Sequence, residues 1–158
     1  GKFDQAKFYS ERAVQLNPSF PDAQNILGQS LVHSGKFAES EKHFLKAIEL
    51  NPLDPNAILY KDGLFFAQMG LGNYEIAYSL IEECISQFSK AGFYKGFRAA
   101  VLGYLDEKSE AKNALDVYLS LRPNLKTKDD YKKIFVPNSS LADILIEGLC
   151  LAGWEPED

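Results

Sequence analysis

Apolar and polar residues follow one another along the chain in a pattern that fits helices. Within each block, apolar side chains recur at every third or fourth position, and short turns rich in Gly, Pro and Asn separate the blocks. This spacing is typical of amphipathic helices, and no block shows the strict alternation expected of a half-buried strand. The pattern predicts an all-α protein without a sheet. The nine predicted helices span residues 4–16, 21–33, 37–50, 55–69, 74–88, 91–104, 108–121, 128–135 and 139–152.

The pattern also repeats. The segments 1–18 (GKFDQAKFYSERAVQLNP) and 35–52 (GKFAESEKHFLKAIELNP) are identical at seven of 18 positions. Chance agreement at about 6% usage per residue type would give roughly one identity. Each copy ends in the turn dipeptide Asn-Pro, which closes a helix. The chain is therefore a tandem array of similar units.

Small residues mark the second helix of each unit, where neighbouring helices must approach closely. The position in the middle of that helix carries Ala6, Ser40, Ala77 and Ala111 in successive units. The position two helical turns later carries Ala13, Ala47, Cys84 and Tyr118. Tyr118 is the exception to the rule. Gly28 is predicted to allow the same close approach from the first helix of its unit.

The offset between the two copies identifies the kind of repeat. A helix–turn–helix unit with a period of about 34 residues is the tetratricopeptide signature, and the chain resembles this class of repeat protein. The resemblance implies a right-handed superhelix of stacked helix pairs, an α–α solenoid with capping helices at its C-terminal end. We expect tetratricopeptide repeats over residues 1–124, the first of them lacking its first helix, and capping helices over residues 125–158. Such arrays usually present a surface for binding other molecules.

The two ends of the array differ from its middle. Gly1 falls inside a repeat, so we expect a fragment of a longer protein, and the first helix then lacks a neighbour for its apolar face (Phe3, Ala6, Ala13 and Leu16). Residues 141–152 are apolar almost all round, which is typical of a helix buried on both sides. We expect this helix to fold back on the array. Self-association through the terminal helices is the alternative, chiefly for the first helix.

Three C-terminal segments carry a more specific resemblance. Residues 118–124 (YLSLRPN), 141–146 (LADILI) and 147–156 (EGLCLAGWEP) resemble the closing motif of the tetratricopeptide tails of bacterial class III adenylate/guanylate cyclases and related winged-helix regulators. Cys150 stands where that motif has a basic residue, and Trp154-Glu155-Pro156 replaces Leu-Pro. The resemblance implies a catalytic or DNA-binding domain upstream in a bacterial signalling protein. We expect a cytoplasmic location, with a parent protein that could be attached to a membrane.

Composition narrows the range of partners. A net charge of −5 argues against nucleic acid as a ligand, because phosphate binding needs clustered Lys and Arg. No apolar run approaches the roughly 18 residues that span a bilayer, so we expect no membrane contact by this segment. The expected partner is a protein or peptide.

No pattern of catalytic or metal-binding residues is present in the sequence. Cys84 and Cys150 lack the paired spacing of a zinc site, and we expect two buried or half-buried thiols. His33 and His43 belong to different helices and form no ligand pattern with a carboxylate or Cys. We therefore expect no enzymatic activity in these residues, no cofactor and no metal.

The first helix of each unit is expected to line the inner groove of the array. Asn25, Gln29 and His33 recur at every fourth position, so they share one helical face. A polar and aromatic lining suits a peptide held by amide hydrogen bonds and ring contacts. Family members that grip a C-terminal carboxylate present Lys, Asn and Arg in this groove, and only Asn25 matches that clamp. The peptide-groove candidates are Asn25, Gln29, His33, Asn56, Phe66, Phe93 and Tyr104.

Three functions remain open from the sequence. The leading hypothesis is a protein-interaction or scaffolding module that forms the regulatory tail of a signalling protein such as a nucleotide cyclase. The second is a sensing domain that binds a small molecule or peptide in the concave groove. The third is a tail that holds an enzyme or transcription regulator together as a dimer. A groove filled by the protein's own last helix would count against an open peptide receptor.

Overall fold

The computed structural model describes residues 2–53, 57–134 and 140–157, with side chains from Gln5 onward. Over these residues the chain forms nine α-helices and no strand, as an α–α solenoid. The predicted fold class is confirmed. The helices are α1 (Lys2–Leu16), α2 (Pro21–His33), α3 (Phe37–Leu50), α4 (Ala57–Leu71), α5 (Tyr74–Gln87), α6 (Phe93–Tyr104), α7 (Lys108–Ser120), α8 (Lys128–Ile134) and α9 (Ser140–Leu151).

Turn residues explain why the predicted helix bounds match closely. Helix α2 begins at Pro21, whose fixed φ suits the first helical position, and α3 ends directly before Asn51-Pro52. Both helices have the predicted bounds. Helix α4 runs past its predicted end to Leu71, before Gly72 leaves the helix with a φ of 76°. Ser140 lies inside α9 and not at its cap, while Ser139, the other predicted cap, lies outside the described residues.

Each helix from α1 to α6 packs against the next one along the chain. The predicted small positions in this stack are confirmed where burial is complete, because Ser40, Ala47, Ala77, Cys84 and Ala111 have no exposed surface. The Phe44 ring of α3 occupies the space left by two glycines. A Cβ on Gly28 would lie 2.8 Å from this ring, and one on Gly63 would lie closer still. The predicted close approach at Gly28 is therefore confirmed.

Tyr118 breaks the small-residue rule without disturbing the stack. It is buried on α7 with 3% of its surface exposed, and it faces Gly96 of α6. A Cβ on Gly96 would lie 2.8 Å from the Tyr118 ring, so any larger residue there would clash. The small residue of this pair lies on α6 instead of α7, so the two helices still pack closely.

The last helix turns back onto the array. Helix α9 packs along α6 and also reaches α4 and α2, which together form a surface that we call the inner face. Leu145 and Leu149 are fully buried, and Ile146 is 5% exposed. The backbones of α6 and α9 touch directly, because a Cβ on Gly148 would lie 2.5 Å from the Ala100 carbonyl oxygen. The predicted burial of this helix within its own chain is confirmed.

The segments before and after α9 are tied together. Tyr131, on the short helix α8, is fully buried with its ring centre 6.1 Å from that of Trp154. An isolated β-bridge joins Thr127 to Glu157, where the Glu157 amide donates to the Lys126 carbonyl at 2.8 Å. Residues that follow α9 thus return to the start of α8.

The other end of the solenoid is open. Helix α1 packs on α2, but Phe8, Tyr9 and Leu16 remain 63%, 68% and 73% exposed. Ala6 and Ala13 are half-buried, and the side chain of Phe3 lies outside the described residues. Of the apolar face predicted for this helix, Leu16 is therefore exposed, whereas the exposed Phe8 and Tyr9 were not predicted.

Candidate functional site

The inner face contains a cleft where α2 and α4 meet. Helix α9 occupies the part of the inner face over α6 and reaches α2 at its first turn, where Ser140 lies beside Gly35. The cleft lies beside this end of α9 and has a volume of about 200 Å³. Its walls come from three helices of the solenoid and from the first turn of α9. The lining residues are Gln29, Val32, His33, Phe44, Asp62, Gly63, Phe66 and Leu141.

Asp62 is the one acidic side chain in this lining. Its Oδ1 atom is buried and has no hydrogen-bond partner among the described residues. Burial raises the pKa of the Asp62 carboxyl to about 6, and an interaction with the Tyr94 hydroxyl opposes the rise only partly. At pH 7 the group is therefore mostly ionised while it remains poorly compensated. A buried carboxylate in this state destabilises the folded protein.

His33 contributes a second titratable group to the cleft. It lies at the last position of α2 and is half-buried. Burial lowers the pKa of His33, so the imidazole is neutral at pH 7. The cleft lining therefore carries a net negative charge at neutral pH.

The cleft brings together three of the predicted groove residues. Gln29, His33 and Phe66 all line it, although they come from two different helices. Phe66 packs edge to face against Phe97 with ring centres 5.1 Å apart, which fixes its orientation at the cleft wall. Gln29 is exposed, and its amide lies 3.5 Å from the Asn25 side-chain oxygen.

The remaining predicted groove residues are placed differently. Asn25 is buried beneath Gln29 with 8% of its surface exposed. Phe93 is 42% exposed at the start of α6, next to Tyr94, and does not line the cleft. Asn56 lies outside the described residues.

Tyr104 is engaged by the protein's own C-terminal helix. Its hydroxyl lies 2.9 Å from the Ile144 carbonyl oxygen and 3.1 Å from the Glu147 carboxylate. Its ring stacks on Tyr74 with centres 4.1 Å apart. Helix α9 therefore occupies the predicted groove position at Tyr104.

The thiols match the expectation from the sequence. Cys84 is buried and Cys150 is half-buried. Burial raises the pKa of the Cys84 thiol to about 12, so this sulfur stays protonated at neutral pH. Within the described ranges, no three His, Cys, Asp or Glu side chains are grouped closely enough to hold a metal ion.

Sequence reasoning missed Asp62, although a signal for it exists. The stretch ILYKDGLFFAQM over residues 58–69 is apolar apart from Lys61, Asp62 and Gln68. Lys61 reaches out of this face to pair with Glu83 of α5. Asp62 lies one helical turn before Phe66, a residue already assigned to the groove, so the spacing alone places it on the same helical face.

Comparison with known proteins supports the repeat assignment. Residues 21–54 match the family model described as Tetratricopeptide repeat, which corresponds to the helix pair α2 and α3. No curated protein matches the chain. The family match and the helical architecture together support a tetratricopeptide-repeat protein. No helix among the described residues is long and apolar enough to cross a membrane.

Proposed function

We propose that this protein is an interaction module that holds a peptide of a partner protein on the open part of its inner face. Tetratricopeptide repeats generally mediate protein–protein interaction and scaffolding, and they typically have no catalytic activity. The observation that carries the proposal is the convergence of Gln29, His33, Asp62 and Phe66 on one cleft beside α9. The cleft would accept one side chain of the peptide, and the exposed Gln29 amide would bond its backbone.

The size of the cleft favours this function over sensing of a small molecule. Pockets for drug-sized ligands usually have volumes of about 300–1,000 Å³. The cleft measures about 200 Å³, which suits a single side chain. Its position also favours a peptide, because the residues that flank it belong to consecutive helices of a continuous surface. The sensing hypothesis from the sequence thus remains the second candidate.

The position of helix α9 limits the length of the peptide that the inner face could bind. It covers the α6 part of the inner face and engages Tyr104, so a ligand running the full length of the groove has no room there. The open part spans α2 and α4. We infer a short peptide contact, centred on the cleft, in place of a long extended ligand.

A blocking substitution tests this function. A peptide-display library would be selected on the intact protein, and the enriched peptides measured by calorimetry. Gln29→Arg would fill the cleft mouth and should weaken binding at least tenfold. Gln87→Arg, on exposed α5 surface, makes the same chemical change away from the inner face and should leave the affinity unchanged. Failure to select any peptide sensitive to Gln29→Arg would refute the function.

The wider setting rests on the C-terminal resemblance. We propose that the module is the regulatory tail of a larger bacterial signalling protein, such as a nucleotide cyclase, because residues 118–124 and 141–156 resemble the closing motif of those tails. The full reading frame tests this: a cyclase or winged-helix domain upstream would support it, and an unrelated domain would exclude it.

Self-association is a further candidate for the N-terminal end. The exposed Phe8, Tyr9 and Leu16 side chains form the apolar end that would pair in a dimer. Light scattering of the wild type and of a Leu16→Asp variant tests it. A wild-type dimer that becomes monomeric in the variant supports self-association, and a monomeric wild type excludes it.

A further inference from the structure

Asp62 differs from two buried amide side chains of the same helices, Gln24 of α2 and Gln68 of α4, whose hydrogen bonds are seen. Gln24 donates to the Pro18 carbonyl at 2.8 Å and receives a contact from His43 at 2.7 Å. Gln68 donates to Glu41 at 2.6 Å and accepts from Asn73 at 2.7 Å. The buried Oδ1 atom of Asp62 has no such partner among the described residues. Buried polar atoms are nearly always hydrogen-bonded, so this one calls for an explanation.

Within the described part of the chain, Asp62 has no cation beside it in the cleft. The lining contains no Lys or Arg, and the neighbouring Lys61 is paired with Glu83. The titratable groups that face Asp62 are His33 from α2, Cys84 from α5 and Tyr94 from α6. Burial lowers the pKa of His33 and raises the pKa of Cys84 and Tyr94, so the neutral form of each group is favoured. Asp62 is therefore the one anionic group of this lining at neutral pH, and its charge is open to a ligand.

The other walls suit a long side chain with a charged end. Val32, Phe44, Phe66 and Leu141 offer apolar surface to methylene groups, while Gln29 supplies an amide near the mouth. Lys and Arg side chains combine an apolar stem with a cationic head that also favours aromatic rings. An acidic or purely apolar side chain would leave the carboxylate unpaired.

We propose that the Asp62 cleft binds the side chain of a lysine or arginine of the partner peptide, with the cationic head on Asp62 and the stem against Phe66. This inference rests on the proposed peptide-binding function and names the residue that the peptide must carry. A role for Asp62 in stability alone does not account for it, because an uncompensated buried carboxylate lowers stability. Proteins keep such costly groups mainly where function needs them.

The test uses the same peptide selection with different variants. Peptides enriched on the wild-type protein should share a Lys or Arg. Replacing that residue by norleucine should weaken binding at least tenfold. Asp62→Asn should weaken binding by a similar factor, while Asp116→Asn, the same change on exposed α7 surface, should have no effect. Lowering the pH from 7.5 to 5 should weaken wild-type binding by up to about tenfold, since a carboxyl with a pKa near 6 is then mostly protonated.

The outcomes separate this inference from the proposed function. Peptides that are blocked by Gln29→Arg but lack a shared basic residue, and that tolerate Asp62→Asn, would overturn the inference and keep the function. Absence of any inner-face peptide would overturn both. Equal affinity for butylamine and for the selected peptide would show that the cleft is a small-amine site, which also overturns the inference.

Discussion

Along the inner face, α6 is covered by α9, whereas α2 and α4 leave a cleft between them. Over α6 the chain satisfies its own polar groups: the Tyr104 hydroxyl bonds to α9, and glycine backbones meet without intervening side chains. In the cleft, no Lys or Arg lies in the lining to balance the Asp62 carboxylate. Its Oδ1 atom also has no hydrogen-bond partner among the described residues. We infer that the two parts of this surface have different roles. The first completes the fold, and the second is the region that we propose binds a ligand.

The largest expected effect concerns the covered region. Leu145 is fully buried on α9, so Leu145→Asp places a carboxylate in an apolar site and should destabilise the protein by at least about 4 kcal/mol, or prevent folding. Leu151→Asp is the control on the same helix, because Leu151 is 53% exposed, and it should cost far less, about 1 kcal/mol. Chemical denaturation measures both. Equal stability of the two variants would show that α9 is not part of the fold.

A substitution of Asp62 in the cleft should instead stabilise the protein. Asp62 has a pKa of about 6 in the folded protein and an ordinary value of 3.8. Below pH 3.8 the carboxyl is neutral in both states, and as the pH rises toward 6 the unfolded state ionises first, so the folded state loses stability. Asp62→Asn removes this loss. The change in the free energy of unfolding caused by the substitution should therefore be up to about 3 kcal/mol more stabilising at pH 7.5 than at pH 3.5.

Urea denaturation at the two pH values gives this difference. Asp116→Asn controls for the general effect of removing a negative charge and should show little change with pH. A cleft carboxylate that is in fact stabilised by the protein would give the reverse sign, with Asp62→Asn losing stability at pH 7.5. That result would remove the contrast between the two regions.

The smallest expected effect tests the helix crossing that holds α9. A Cβ on Gly103 would clash with the carbonyl oxygen of Gly148, which is backbone and cannot move aside easily. Gly103→Ala should therefore cost about 1–3 kcal/mol. Gly92→Ala, just before the same helix, is the control, because its Cβ would meet only the end of the Leu121 side chain at 3.1 Å. Equal melting temperatures for the two alanine variants would contradict the close crossing of α6 and α9.

Local signals explain how much of the fold the sequence predicts. The Asn-Pro turns and the repeat period predict the first and last residues of α2 and α3 correctly, because helix ends depend on neighbouring residues in the chain. Tyr118 looks like a violation from its own repeat alone. It is explained by Gly96, a residue of another helix, and no periodicity within α7 can reveal that pairing.

The site is harder to predict for the same reason. The helical spacing groups Gln29 with His33, and it also places Asp62 with Phe66, but only the stacking of α2 on α4 brings the two pairs together. The engagement of Tyr104 depends on where α9 docks, far along the chain from α6. Apolar character predicts that α9 is buried. The surface that buries it is set by the glycines at positions 103 and 148, whose partnership is visible only in three dimensions.

We propose that Asp62 is a poorly compensated carboxylate that binds a cationic side chain, and its pKa is the most direct measure of this. The carboxyl ¹³C signal of Asp62 can be followed by NMR from pH 3 to 8, with and without a selected peptide. We expect a pKa of about 6 for Asp62 in the free protein and a lower value with peptide bound, because a cation favours the ionised form. A pKa at or below 4 in the free protein, or one that the peptide leaves unchanged, would contradict it.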